Sequence, residues 1–113
     1  MATKNELEPF TRISVEEAKE LIDDGEVQVV DSREPHEHAD GHVPGSLNIP
    51  HMATLPRRAE LARDGPILFI CKTGQRSAVA AEFAATVGLT DLYNVEGGHD
   101  AWRAAGYELE YGM

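Results

Sequence analysis

The sequence predicts an α/β domain, a small parallel sheet flanked by helices on both faces. Three observations predict it. Short runs of β-branched or apolar residues alternate with segments of helical periodicity, the pattern of repeated strand–helix–strand units. One of those runs, residues 67–70, is apolar throughout, as a strand covered on both faces should be. The length of 113 residues accommodates one domain and leaves no room for two.

Each element follows from its own residues. Residues 1–9 are polar and read as a flexible, solvated tail, which leaves residues 10–113 as a single domain. Ser14 with Glu17 three positions later forms a capping box; Ala18, Leu21 and Ile22 then recur at helical spacing until Gly25. Residues 27–31 read as a strand ending in the polar cluster 31–35, and residues 41–46 as a turn-rich loop. Leu47, Asn48 and Ile49 make a short strand stopped by Pro50, and Leu55-Pro56 opens a predicted helix to Arg63. The apolar strand 67–70 runs into a loop over residues 71–76. From Ser77 the pattern is helical, with Val79, Phe83 and Val87 on one side, alanines between them, and Gly88 at the end. Residues 92–95 are another strand, Gly97-Gly98 a turn, and Ala101-Trp102 the start of a short helix ended by Gly106, with Trp102 plugging the core. Parallel sheets place ligands at the carboxyl ends of their strands, so clusters 31–33, 71–76 and 96–98 should converge on one edge.

Composition narrows the function. Hydrophobic residues are 42% and charged residues 27% of the chain, which excludes disordered and fibrous classes. Ten basic residues stand against 20 acidic ones, a net charge of −10, so neither nucleic acid nor an anionic membrane is expected as a partner. No apolar run approaches the roughly 20 residues of a membrane helix, and the N-terminus lacks the apolar stretch of a secretory signal. The expected compartment is the cytoplasm. The lone cysteine, Cys71, excludes an internal disulfide and a multi-thiolate zinc site, and a reducing compartment keeps its thiol available.

Chemistry concentrates in Cys71-Lys72-Thr73-Gly74-Gln75-Arg76-Ser77, between a buried strand and a helix. A loop in that position can curl its N–H groups toward one centre, and Gly74 permits the conformation this needs. The helix adds its positive end, and Lys72 and Arg76 add formal charge. All of these favour a thiolate, so Cys71 is expected to be nucleophilic with a lowered pKa. The same cradle suits a small anion, gripped by Arg76 through two donors. The competing reading is an inert buried cysteine at a strand end.

These residues resemble the rhodanese family of sulfurtransferases. Val30-Asp31-Ser32-Arg33-Glu34 is similar to its strand and acid-x-arginine segment. Residues 41–50, Gly-His-Val-Pro-Gly-Ser-Leu-Asn-Ile-Pro, are similar to its first signature. Residues 71–77 resemble its active-site loop, and Asn94-Val95-Glu96-Gly97-Gly98 with Trp102 its C-terminal signature. The likeness runs in the family's order from about residue 13 to 106. Ser32 departs from it, standing where an apolar residue is more usual. The resemblance implies a sulfur relay: Cys71 takes sulfur from thiosulfate or a persulfide donor, becomes a persulfide, and passes the sulfur to cyanide or a thiol, including a protein thiol. Residues Lys72, Thr73, Gly74, Gln75, Arg76 and Ser77 would bind the donor, and Asp31 and Arg33 would brace the loop region. No cofactor is implied.

The residues also admit other readings. A carrier or interaction module would hold the sulfur with little thiosulfate turnover, and the acidic helix 14–24 offers either its docking surface or a merely solvated face. Phosphatase and arsenate reductase chemistry belong to related loops, but tyrosine-phosphatase-type loops hold one residue more between cysteine and arginine than the four found here, and the fold-sharing phosphatases have histidine where Ile70 stands. His36, His38, His42 and His51 fall within sixteen residues without a readable ligand geometry, and no metal is expected. His36 and His38 read as loop-surface residues, His42 as ordering its turn. Arg57, Arg58 and Arg63 read as a solvated basic face on the 55–63 helix. The oligomeric state is open.

Overall fold

The structure, a computed structural model, describes residues 2–112. Met1 of the predicted tail and Met113 of the domain lie outside the described residues. The elements run β1 (Thr3–Lys4), β2 (Thr11–Ile13), α1 (Val15–Asp24), β3 (Gln28–Asp31), α2 (Pro35–Ala39), β4 (Leu47–Asn48), 3-10 turns at His51–Ala53 and Arg58–Glu60, β5 (Ile67–Ile70), α3 (Gln75–Thr86), β6 (Leu92–Val95) and α4 (Gly98–Ala104). The strands form one six-stranded sheet in the order β1-β2-β6-β5-β3-β4. Every pairing is parallel except β1 with β2, where Thr3 faces Arg12 and Lys4 faces Thr11.

The apolar run of β5 explains its central place. All four residues are buried, and alternate side chains feed two cores. Ile67 and Phe69 join Val30, Ile49 and the α3 alanines on one face. Leu68 and Ile70 join Val29, Ala18 of α1 and Trp102 of α4 on the other. Helices thus cover both faces, as the sequence predicts. The capping box at Ser14 is present in both directions, and Gly25 closes α1 at φ +78°. Trp102 is buried, with its Nε1–H donating to Glu108 O at 2.8 Å. Among the described residues no helix is long and apolar enough to cross a membrane.

Four expectations are corrected. Within the predicted tail, Thr3–Lys4 form an edge strand instead of remaining free, although both residues stay exposed. The 55–63 helix does not form: the segment is turns and one short 3-10 helix, Arg58–Glu60, so the three arginines share no helical face. Gln28 of β3 holds it to the sheet instead, its side chain donating to Glu60 O at 2.9 Å and accepting from Ala62 N at 2.8 Å. Helix α3 buries Ser77, Ala80, Ala81 and Ala84 and leaves Val79, Phe83 and Val87 half-exposed; the small side chains let it approach the sheet closely. Finally, α2 forms where a loop is expected, started by Pro35 and a hydrogen bond from Glu34 N to the Glu37 carboxylate.

Candidate active site

The three polar clusters meet at the carboxyl edge of the sheet. Cys71 leaves the end of β5 only 1% exposed. The chain then turns through Gly74, whose φ of +118° is a conformation that favours glycine, and enters α3 at Gln75, two residues earlier than the sequence predicts. Ser77 therefore sits in the first turn, where helical N–H groups have no intrahelical partner. The sulfur receives Gly74 N–H at 3.0 Å, and the Ser77 hydroxyl lies 3.3 Å away. Burial pushes the thiol up, but the Ser77 hydroxyl and the N–H groups of Ser77, Gly74 and Thr73 outweigh it, and the pKa lies below the ordinary value.

The first turn of α4 holds the chain just after Cys71 and helps aim Thr73 N–H at the sulfur. His99 N donates to Cys71 O at 2.8 Å and Asp100 N to Lys72 O at 3.0 Å. In a trans peptide the C=O and N–H point opposite ways, so drawing these carbonyls toward α4 turns the following N–H groups toward the loop's interior. Gly98 makes the approach possible: a Cβ there would lie 2.4 Å from Cys71 O and 2.6 Å from Lys72 O. The His99 ring adds a third tie, with Nδ1 2.9 Å from Cys71 O and Nε2 3.3 Å from Val43 N. Burial lowers the His99 pKa to about 4, against the pull of Asp31, so the ring is neutral near pH 7. The neutral form then donates from Nδ1 and accepts Val43 N–H at Nε2.

The cations stand differently from the sequence expectation. Lys72 pairs with Asp100 at 2.8 Å, and Arg76 makes a two-point pair with Glu37 at 2.7 and 2.9 Å. The Arg76 hydrogen bonds hold the Glu37 carboxyl down at about 2. Hydrogen bonds therefore lead in favouring the thiolate, and the Arg76 charge adds to them. Thr73 and Gln75 are exposed and bond to each other through their side chains, so Thr73 serves the sulfur through its backbone.

Asp31 and Arg33 form a buried pair, Nε to Oδ1 at 2.9 Å and Nη2 to Oδ2 at 2.8 Å, and Arg33 also donates to Gly41 O at 2.8 Å. Burial works against the ionised Asp31, but Arg33 and His38 hold its pKa below the ordinary value. The pair ties the end of β3 to the 41–46 turn, next to the loop. His38 is buried, contrary to the surface-loop expectation: its Nδ1 lies 2.8 Å from Asp31 Oδ2 and its ring stacks on His42 at 3.6 Å. An open cleft of about 440 Å³ lies beside these groups, lined by Arg33, Glu37, Asp40, Lys72, Asp100, Arg103 and Tyr111.

Sequence reasoning misses Asn94, Glu37, Asp100 and His99 as parts of the site. The Ser77 hydroxyl, with its one proton, lies between the sulfur and Asn94 Oδ1, and Asn94 Nδ2 donates to Gly74 O at 3.1 Å, which fixes Gly74 beside the sulfur. The available signal was a polar residue at an inward position of β6. Glu37 and Asp100 carry no local signal, because each meets its cation only through the fold.

A thiol at the floor of a backbone-amide cradle, at the carboxyl edge of a mainly parallel sheet, defines a class of small α/β domain built to stabilise sulfur as an anion. The chain belongs to the rhodanese-like domain family, whose model matches residues 14–105. It is 36% identical over 95 residues to the thiosulfate sulfurtransferase GlpE of Pseudomonas paraeruginosa, covering 84% of this chain and 86% of the relative. A rhodanese-related protein of Thermoplasma volcanium superposes with a TM-score of 0.80 at 35% identity, over 88% of this chain and 96% of the other. A Rhodopseudomonas palustris protein of unknown function, titled a possible tyrosine phosphatase, superposes at 0.76 with 33% identity, over 88% and 83% of the two chains.

Proposed function

We propose that this single domain, residues 10–113, is a thiosulfate sulfurtransferase working through a Cys71 persulfide in the cytoplasm. The observation that carries the proposal is the buried Cys71 sulfur with converging donors and a lowered pKa. The thiolate attacks the outer sulfur of thiosulfate, an S–S bond forms to Cys71, and the bond inside thiosulfate breaks with its electron pair leaving on sulfite. Cyanide or a thiol, small or carried by a protein, then takes the outer sulfur and returns the thiolate. The chain holds no second cysteine, so discharge needs that external acceptor. The loop amides from Thr73 to Ser77 stabilise thiolate and persulfide alike. Arg76 and Lys72, exchanging part of their bonds to Glu37 and Asp100, receive the donor's sulfonate end, with Gln75 at the rim; Asp31 and Arg33 hold the neighbouring turn.

The test is intact mass after incubation with thiosulfate, with and without cyanide, on the wild type and Cys71→Ser. A gain of about 32 Da in the wild type, removed by cyanide and absent from the variant, is expected. Retained sulfur transfer in Cys71→Ser overturns the mechanism. A stable adduct with slow cyanide turnover identifies a carrier. Hydrolysis of an aryl phosphate without any adduct identifies a phosphatase, which the short loop disfavours.

A further inference from the structure

The cleft beside the loop holds a cation that the structure leaves unpaired. Arg103 of α4 lines it, and among the described residues its guanidinium forms no hydrogen bond or ion pair. The other cations of the cleft are engaged, Arg33 with Asp31 and Lys72 with Asp100. Arg103 nevertheless has a fixed seat. It lies over Gly41, where an added Cβ would meet Arg103 Nη2 at 3.0 Å and the Tyr111 ring at 3.2 Å. A glycine at φ +128° leaves the space that both side chains use.

Tyr111 belongs to a strap that closes this side of the cleft. Glu110 and His42 exchange both backbone hydrogen bonds at 2.8 Å, and Gly112 N donates to Ala39 O at 2.8 Å. The Glu110 carboxylate also accepts Gly45 N–H at 3.0 Å. Ties on either side thus hold the Tyr111 backbone, while its side chain lines the cleft and stays 68% exposed. The result is an aromatic surface beside a free guanidinium.

The cleft borders the reactive loop at both ends. Lys72 follows Cys71 directly, and Glu37 holds Arg76, whose guanidinium feels the Cys71 charge. The first-turn amides of α4 bond the Cys71 and Lys72 carbonyls. Arg103 stands three residues after Asp100, so it shares that residue's helix face about 4.5 Å further along the axis. A volume of about 440 Å³ is in the range that takes small organic ligands, and far more than thiosulfate or cyanide needs. Resting on the sulfurtransferase reading, we infer that this cleft binds the sulfur acceptor, a peptide-sized thiol whose carboxylate is gripped by Arg103 beside the Tyr111 ring. The acceptor thiolate attacks the outer sulfur of the Cys71 persulfide. A new S–S bond forms, the bond to Cys71 breaks with its electron pair returning to the Cys71 sulfur, and the acceptor leaves as a persulfide.

The test uses protein loaded with thiosulfate and freed of excess donor, and follows loss of the added sulfur by quenched mass measurement. Two matched acceptors are compared, N-acetyl-cysteinylglycine and its carboxamide, which differ in the terminal carboxylate. At about 0.15 M salt, where distant charges are screened, the wild type should be discharged about tenfold faster by the acid than by the amide at low acceptor concentration. Arg103→Gln should reduce that ratio to about one by slowing the acid, with the amide rate changed less than twofold. Arg63→Gln removes the same charge from the segment before β5, at the opposite edge of the sheet, and should keep the preference. Equal rates for the two peptides in the wild type overturn the inference. So does a preference that survives Arg103→Gln, or one that Arg63→Gln abolishes as well, which assigns it to net charge. A wild type that takes up no sulfur overturns both this inference and the function beneath it, whereas loading without a preference overturns this inference alone.

Discussion

Arg76 shows why a charged residue's role depends on its partner. Its guanidinium is half-buried and held by Glu37 in two-point geometry, and the same two donors suit an incoming sulfonate. Arg76→Ala should lower kcat/KM for thiosulfate by about one to two orders of magnitude, mostly through KM. Stability should change by only about 1 kcal/mol or less, since a partly exposed pair contributes little. Steady-state kinetics beside urea unfolding checks both numbers, and unchanged kinetics at low thiosulfate would remove Arg76 from donor binding. The sequence made Cys71, Gly74 and Arg76 legible because their chemistry is local: a nucleophile, a flexible residue and a cation on one short loop. It did not reveal that Glu37, 39 positions away, sets what Arg76 is free to do.

At the scale of elements, the loop is shaped less by its own residues than by α4 docking against it. Gly98 carries that contact, with φ +55° and no space for a side chain. Gly98→Ala would drive a methyl into the Cys71 and Lys72 carbonyls, and neither is the end of a flexible side chain. We expect a destabilisation of about 2–3 kcal/mol and at least a tenfold fall in iodoacetamide reactivity near pH 7, as the amides lose their aim. Preserved reactivity in the folded variant would show that the cradle holds its form without α4. Strands β3, β5 and β6 and helix α1 were legible because each has its own period or cap. The 55–63 segment misled because Gln28, distant in sequence, bonds its backbone and prevents a helix. The α3 pattern misled because large apolar residues signal burial, while close packing on this sheet selects alanine. Strand β2 carries only three residues, two of them polar, too short a pattern to read.

Across the whole molecule, buried polar groups join the sheet edge, the 41–46 turn and α4, and this network links stability to pH. His99 makes it acid-sensitive. Its pKa is about 4 in the folded protein against 6.5 for an ordinary histidine, so the unfolded chain takes up the proton first. The stabilisation from the neutral ring is complete above about pH 6.5 and is lost as pH falls toward about 4, reaching roughly 3 kcal/mol. Glu37, held at about 2 against 4.5, contributes stability that is lost only at lower pH, between about 4.5 and 2, so the two windows barely overlap. His99→Asn places an amide donor near the Nδ1 position and cannot titrate in this range. The variant should be less stable at pH 7 and should lose less stability between pH 6.5 and 4.5. Urea unfolding across that range measures the difference in slope. Parallel profiles would mean that the ring charges freely in the folded state, and that the tie between α4 and the Cys71 carbonyl does not require it neutral.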